Sequence, residues 1–151
     1  MSFALVATVC AGIFAGAAIY ITLVEHPARV SCGSALALRE FAPSYRRATI
    51  MQAALAIVGL FTALEAWSRT GAPELLVGGL ALGIVVPFTL VVIAPTTRRL
   101  LAAELNPESA EAAQLLQRWG RLHAVRSVLS GVAFLILILY LVRAGSSASP
   151  N

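Results

Sequence analysis

Residues 122–142 read LHAVRSVLSGVAFLILILYLV, and Arg126 is the one charged side chain in this run. A helix rises 1.5 Å per residue, so about 20 apolar residues cross the ~30 Å hydrocarbon core of a bilayer. Three more runs of this length, with their charges near the ends, occupy residues 3–25, 44–67 and 74–94. Only 12% of the chain is charged, about half the share of a soluble domain. The sequence therefore predicts an all-α integral membrane protein, folded as an antiparallel four-helix bundle.

The four runs account for most of the chain, so residues 1–151 are predicted to form a single four-span membrane domain. Residues 28–44 are interpreted as a polar connection after the first span. An amphipathic surface helix is predicted at about residues 108–119, ahead of a bend at Gly120 and the fourth span. The last stretch, 145–151, is rich in Gly and Ser, and we expect it to be disordered.

Arginine is unevenly distributed among the connections between the spans. All eleven basic residues are arginine, and four lie in or beside each of the first and third connections, whereas the second has only Arg69. The positive-inside rule then places connections 1 and 3 in the cytoplasm and both termini outside, in what we expect to be a bacterial inner membrane. The same rule explains the net charge of +4, so no nucleic-acid partner is predicted.

With this topology, the polar side chains of all four spans converge at one end of the bundle. Helix 4 carries Trp119, His123 and Arg126 at spacings of four and three residues, which form one polar stripe. Buried polar groups in a bilayer need partners, so we expect this stripe to face similar side chains on helices 1 and 2, with Glu25 paired to Arg126 or Arg47. The candidate catalytic residues are Glu25, His26, His123 and Arg126. The candidate substrate-binding residues are Tyr45, Arg47, Gln52, Arg98 and Trp119.

Composition alone leaves three interpretations of this cluster open. It is a purely structural set of ion pairs and interfacial anchors, a small-molecule site, or a metal or haem site that uses His26 and His123. The chain has two histidines and no Cys motif for haem attachment, so no metal site and no cofactor are predicted, and haem or metal is kept as the alternative.

Several short motifs resemble those of the anthrone oxygenase-like family, small four-span membrane proteins that are largely a domain of unknown function. The motifs are VEHPAR (24–29), YRRA (45–48), PFTL (87–90), PTTRRL (95–100) and WGRLHAVRS (119–127). The resemblance covers roughly residues 5–142. It implies a four-span membrane protein and, by analogy with fungal relatives, oxidation of anthrones to anthraquinones without an established metal or flavin.

Two functions follow as hypotheses. The first is a membrane oxygenase or oxidoreductase that acts on a hydrophobic anthrone- or quinone-like aromatic compound, with His26 or His123 as the base, Glu25 to orient it, and Arg126 or Arg47 to stabilise an enolate. The alternative is a non-catalytic accessory subunit, or a membrane protein that binds lipid or a cofactor. Expected partners are membrane lipid, a hydrophobic small molecule, and further copies of the chain or a larger membrane complex.

Overall fold

Four long helices make up the structure, a computed structural model that describes residues 1–147. They are α1 (Ser2–Ser31), α2 (Ser34–Thr70), α3 (Pro73–Leu100) and α4 (Ala110–Ser147). Each helix is long and apolar enough to cross a membrane, and residues 1–147 contain no strand. Helices α1 and α3 each pack against both α2 and α4. The chain is an all-α, integral membrane, antiparallel four-helix bundle, which confirms the predicted fold class.

The helices extend further than the sequence analysis predicted, and the first connection is correspondingly short. Only Cys32 and Gly33 separate α1 from α2, instead of the polar connection expected at residues 28–44. Pro27 does not end α1, because a π-helical turn at Ile21–Glu25 precedes it, and such turns help to satisfy the backbone groups that proline leaves free. A second π-helical turn, Thr89–Ile93, stands in the same relation to Pro95 in α3.

The surface helix predicted at 108–119 and the fourth span are one continuous helix. α4 begins at Ala110, where the Ser109 hydroxyl accepts a hydrogen bond from the backbone N–H of Ala112 (3.1 Å). It passes through Gly120 without a break. The helix continues to Ser147, so the disorder predicted from residue 145 is wrong for 145–147, and residues 148–151 lie outside the described part of the chain.

Small residues bring the helices close together in the half of the bundle that contains both termini. A Cβ atom built on Gly79 of α3 would lie 2.6 Å from the Cβ of Ala63 of α2, and one on Gly78 would lie 2.7 Å from Leu137 of α4. These positions therefore require glycine for close helix contact, as expected for membrane bundles. The opposite end, formed by the α1–α2 turn and the α3–α4 connection, is called the polar end below.

Candidate functional site

The polar end contains most of the buried polar side chains that lie between the helices. His123 is 2% exposed, Arg126 is 6% exposed and Gln52 is 1% exposed, and all three lie inside the bundle. His26 of α1 is also buried. The convergence that the sequence predicted for these four residues is therefore present, although Arg47, which was also expected from α2, is exposed.

The indole of Trp119 lies at the centre of this cluster. Its ring centroid is 4.7 Å from that of His123, nearly stacked, and 5.2 Å from that of His26. Phe41 of α2 packs edge-on against the same indole at 5.0 Å. Trp119 thus holds two imidazoles from different helices in fixed positions, in ring arrangements that aromatic pairs favour.

Arg126 is a buried cation that makes no ion pair within residues 1–147. Its guanidinium donates to the side-chain oxygen of Gln52 and lies over the ring of Phe14, 5.0 Å from the centroid. The Nε of Arg126 and the Nε2 of Gln52 are buried, and neither has a hydrogen-bond partner in the described part of the chain. Buried N–H groups are normally paired, so two unpaired donors on a contacting pair of residues are unusual in a folded interior.

A cavity of about 70 Å³ lies beside Gln52 and Arg126. Phe14, Gln52 and Arg126 form its inner wall, and the rest of the lining is mainly apolar. Those other lining residues are Thr49, Ala53, Val85, Val86, Thr89 and Leu90. The cavity therefore combines a mainly apolar lining with one charged side chain, that of Arg126.

The side chains around His123 form a chain of hydrogen bonds. The Thr22 hydroxyl lies 3.0 Å from Nδ1 of His123 and 2.7 Å from the Ser127 hydroxyl. The Ser127 hydroxyl also lies 2.9 Å from the carbonyl oxygen of Ala18, which can only accept. When Ser127 donates to this carbonyl, Thr22 donates to Ser127 and Nδ1 of His123 donates to Thr22, and Nε2 keeps the free lone pair that a general base needs.

His26 is held in a different way. Its Nε2 donates to the backbone carbonyl of Leu116 at 3.0 Å. Gly120 makes this approach possible, because a Cβ atom there would lie 2.6 Å from the same nitrogen. His26 lines an open groove between α1 and α4, and not the cavity beside Arg126. Gly120 thus serves close packing of the imidazole, and not the helix bend that the sequence analysis expected.

Replacing Gly120 by Ala is expected to destabilise the bundle by about 1–3 kcal/mol, the usual effect of forcing extra atoms into a packed interior. The added methyl group would displace His26 and break its bond to Leu116. Gly131→Ala is the matched control on the same helix, since nothing lies within 4 Å of a Cβ atom at that position. Thermal unfolding in mild detergent measures both variants, and equal melting temperatures would contradict this account of Gly120.

Glu25 pairs with neither Arg126 nor Arg47, which corrects the network that the sequence predicted. Its carboxylate is bound by Arg29, one turn along α1, and accepts a hydrogen bond from the Ser44 hydroxyl at 2.8 Å. Arg29 also forms an ion pair with Glu40 of α2. The i,i+4 spacing of Glu25 and Arg29 is the sequence signal for this local pair.

Two of the predicted substrate-binding residues lie outside the site. Arg47 and Arg98 are exposed on the bundle surface, because their helix positions point away from the other three helices. Tyr45 is half-buried and stacks on Phe41 at 5.6 Å. Together with Trp119 it lines a second, smaller cavity of about 10 Å³, the space of roughly one water molecule.

This smaller cavity lies between the ion-paired side chains of α1 and α2 and the buried side chains of α4. Glu25, Arg29 and Ser44 line one side of it, and His123 and Arg126 line the other. Nε2 of His26 is engaged by the backbone carbonyl of Leu116, and both imidazoles pack against Trp119.

Comparison with known proteins gives two matches. The sequence model of the family described as anthrone oxygenase matches residues 41–136, which include Gln52, His123 and Arg126 and exclude His26. The anthrone oxygenase tpcL of Aspergillus fumigatus is 50% identical over 46 residues, which are 28% of this chain. That match spans 29% of the length of the fungal protein. No solved structure matches the chain.

Proposed function

This chain belongs to the anthrone oxygenase family, and we propose that it is a membrane oxygenase acting on a hydrophobic anthrone- or quinone-like aromatic compound. The reaction converts an activated methylene group into a carbonyl group: R₂CH₂ and O₂ give R₂C=O and H₂O. Neither a metal nor an organic cofactor takes part in the proposed reaction, because an enolate is electron-rich enough to reduce O₂ directly. A base and a cation at one cavity are then sufficient.

The observation that carries this proposal is the buried Arg126 guanidinium. A charged side chain buried within a membrane bundle is costly unless it is paired. No carboxylate among residues 1–147 pairs with Arg126 to offset this cost, and its Nε and the Nε2 of Gln52 have no acceptor there. A ligand that develops a negative oxygen at this position supplies both the missing charge and the missing acceptor. The enolate of an anthrone is such a ligand.

His123 is the proposed base. In the proposed arrangement Nδ1 of His123 donates to Thr22, which leaves Nε2 free to remove a proton. His123 lines the small cavity together with Arg126, which lies three residues further along α4. His26 is the weaker candidate, because its Nε2 donates to Leu116 and it lies on the outer groove. Glu25 is bound to Arg29 and Ser44, so it does not orient either imidazole directly.

The proposed reaction has two stages, and in each stage His123 gives back the proton that it removes. His123 takes one proton from the methylene carbon, and the electron pair moves to the carbonyl oxygen beside Arg126 and Gln52. The enolate transfers an electron to O₂, the radical pair forms a C–O bond, and the peroxide takes the proton back from His123. His123 then removes the second methylene proton as the O–O bond breaks, and the departing hydroxide takes that proton to become water.

Turnover by the purified protein in lipid nanodiscs tests the proposal. Anthrone is supplied from the lipid, anthraquinone is followed by absorbance, and oxygen consumption is expected to equal product formation. Empty nanodiscs measure the uncatalysed oxidation of anthrone by air. A rate no higher than that of empty nanodiscs, with anthrone bound at the site, would make the protein the binding protein of the alternative hypothesis.

We further propose that both termini lie outside and that connections 1 and 3 face the cytoplasm, as the distribution of arginines favours. The two cysteines provide a test without mutagenesis, because Cys32 is exposed in the α1–α2 turn and Cys10 is buried in α1. A membrane-impermeant maleimide is expected to label Cys32 in inside-out vesicles and to leave right-side-out vesicles unlabelled. The reverse pattern would show that the topology is inverted.

A further inference from the structure

We infer that the ligand reaches Arg126 sideways from the hydrocarbon, through a cleft between α2 and the middle of α3, and that Leu90 controls its passage. The ligand's class rests on the function proposed above. The route itself rests on where α2 and α3 separate, on what forms the wall of the cavity, and on the size of the cavity.

Helices α2 and α3 are packed closely at one end and separate at the other. On the side of the termini, Gly79 lies against Ala63, and a Cβ atom on Gly83 would lie 2.9 Å from Leu60. Beyond Gly83 the helix is interrupted at Ile84, and its contacts with α2 become fewer. The separation of the two helices begins at the level of the cavity beside Arg126.

The outer wall of the cavity belongs to this irregular part of α3. Val85, Val86, Thr89 and Leu90 line the cavity. The two valines follow the interruption at Ile84, and Thr89 and Leu90 are the first residues of the π-helical turn Thr89–Ile93. Leu90 is 64% exposed on the outer face of the bundle and lines the cavity as well. Leu90 therefore lies between the cavity and the membrane hydrocarbon.

This segment also has fewer constraints than a regular helix. Pro87 has no N–H to bond the carbonyl of Gly83, and the turn at Ile84 and the π-helical turn mark the two ends of a short, weakly braced piece of helix. Such paired irregularities allow a segment to shift without unfolding the helices on either side. Movement of this segment away from α2 would widen the cleft.

The size of the cavity makes such a movement necessary for an aromatic ligand. A cavity of ~150 Å³ holds one benzene molecule, whereas this one measures about 70 Å³. A flat molecule can therefore seat its oxygen-bearing edge against Arg126 only if Val86 and Leu90 move outward, with its remaining rings lying in the cleft. The site should accept fused-ring compounds that carry their polar oxygen at one edge.

Association of 1-hydroxyanthraquinone, supplied in the lipid of nanodiscs and followed by its own fluorescence in a stopped-flow instrument, tests the route. We expect Leu90→Ala to bind the probe faster than the wild type and Leu90→Trp to bind it about tenfold more slowly, a change of ~1.4 kcal/mol in the barrier. Faster binding cannot result from misfolding, so the Ala variant remains informative if the Trp variant expresses poorly.

Val91 supplies the matched control, since it is the next residue, is 72% exposed and does not line the cavity. Val91→Ala and Val91→Trp are expected to bind the probe at the wild-type rate. Equal rates for all Leu90 and Val91 variants, or equal effects of the two pairs, would overturn the route. A different result would show that the proposed site beside Arg126 is wrong: the Arg126→Met variant would then bind the probe as tightly as the wild type.

Discussion

Replacing Arg126 by Met is expected to abolish most turnover and, at the same time, to raise the temperature at which the bundle unfolds. Loss of one donor to a developing oxyanion lowers kcat by about 10²–10³. The stability should change in the opposite direction, because the substitution removes a buried charge that has no ion-pair partner among residues 1–147 and puts an apolar side chain of similar length in its place. Loss of the hydrogen bond to Gln52 offsets part of this gain. Opposite changes in activity and stability are typical of a residue that is kept for function.

The measurements are product formation in nanodiscs and thermal unfolding in the same detergent for each variant. Arg121→Met is the control, since Arg121 lies on the same helix and is exposed; it should leave kcat and the melting temperature near the wild-type values. If Arg126→Met instead lowers the melting temperature and retains turnover, Arg126 is a structural residue and the proposed function loses its main support.

Replacing His123 by Gln is expected to lower kcat by about 10²–10⁴, the usual contribution of a positioned general base. His26→Gln should have a smaller effect on kcat and a larger one on stability, because His26 is bonded to Leu116 and packed against Gly120. Steady-state kinetics and thermal unfolding of this pair separate the two roles. A larger loss of kcat from His26→Gln than from His123→Gln would assign the base to His26.

Substitutions of Thr22 test the role of His123 in a second way, because Thr22 influences which nitrogen of the imidazole carries the proton. Thr22→Val removes the acceptor of the Nδ1 proton, so the fraction of rings with a free Nε2 should fall, whereas Thr22→Ser keeps the acceptor and should restore activity. Nitrogen NMR shifts of the imidazole report the tautomer directly. An unchanged tautomer in Thr22→Val, with reduced activity, would mean that Thr22 acts only through packing.

Much of the site followed from spacing along single helices. Trp119, His123 and Arg126 share one face of α4 because residues three and four apart are neighbours on any helix, and the structure places all three inside the bundle. The wrong predictions concern partners on different helices. Glu25 was matched to distant arginines, whereas Arg29, one turn away, binds it. Arg47 and Arg98 lie at the polar end but point outward, and sequence position alone does not give that direction.

The amino-acid sequence by itself determined the number of spans, the antiparallel order and the end at which polar residues collect. The length of an apolar run and the position of its charges can both be read directly along the chain, without knowledge of contacts between helices. The tertiary structure decided which polar groups meet. Rotation of each helix about its axis depends on close contacts such as Gly79 with Ala63 and Gly120 with His26. Those contacts aim Arg126 at Gln52 instead of at a carboxylate, and they leave the unpaired N–H groups on which the proposed chemistry depends.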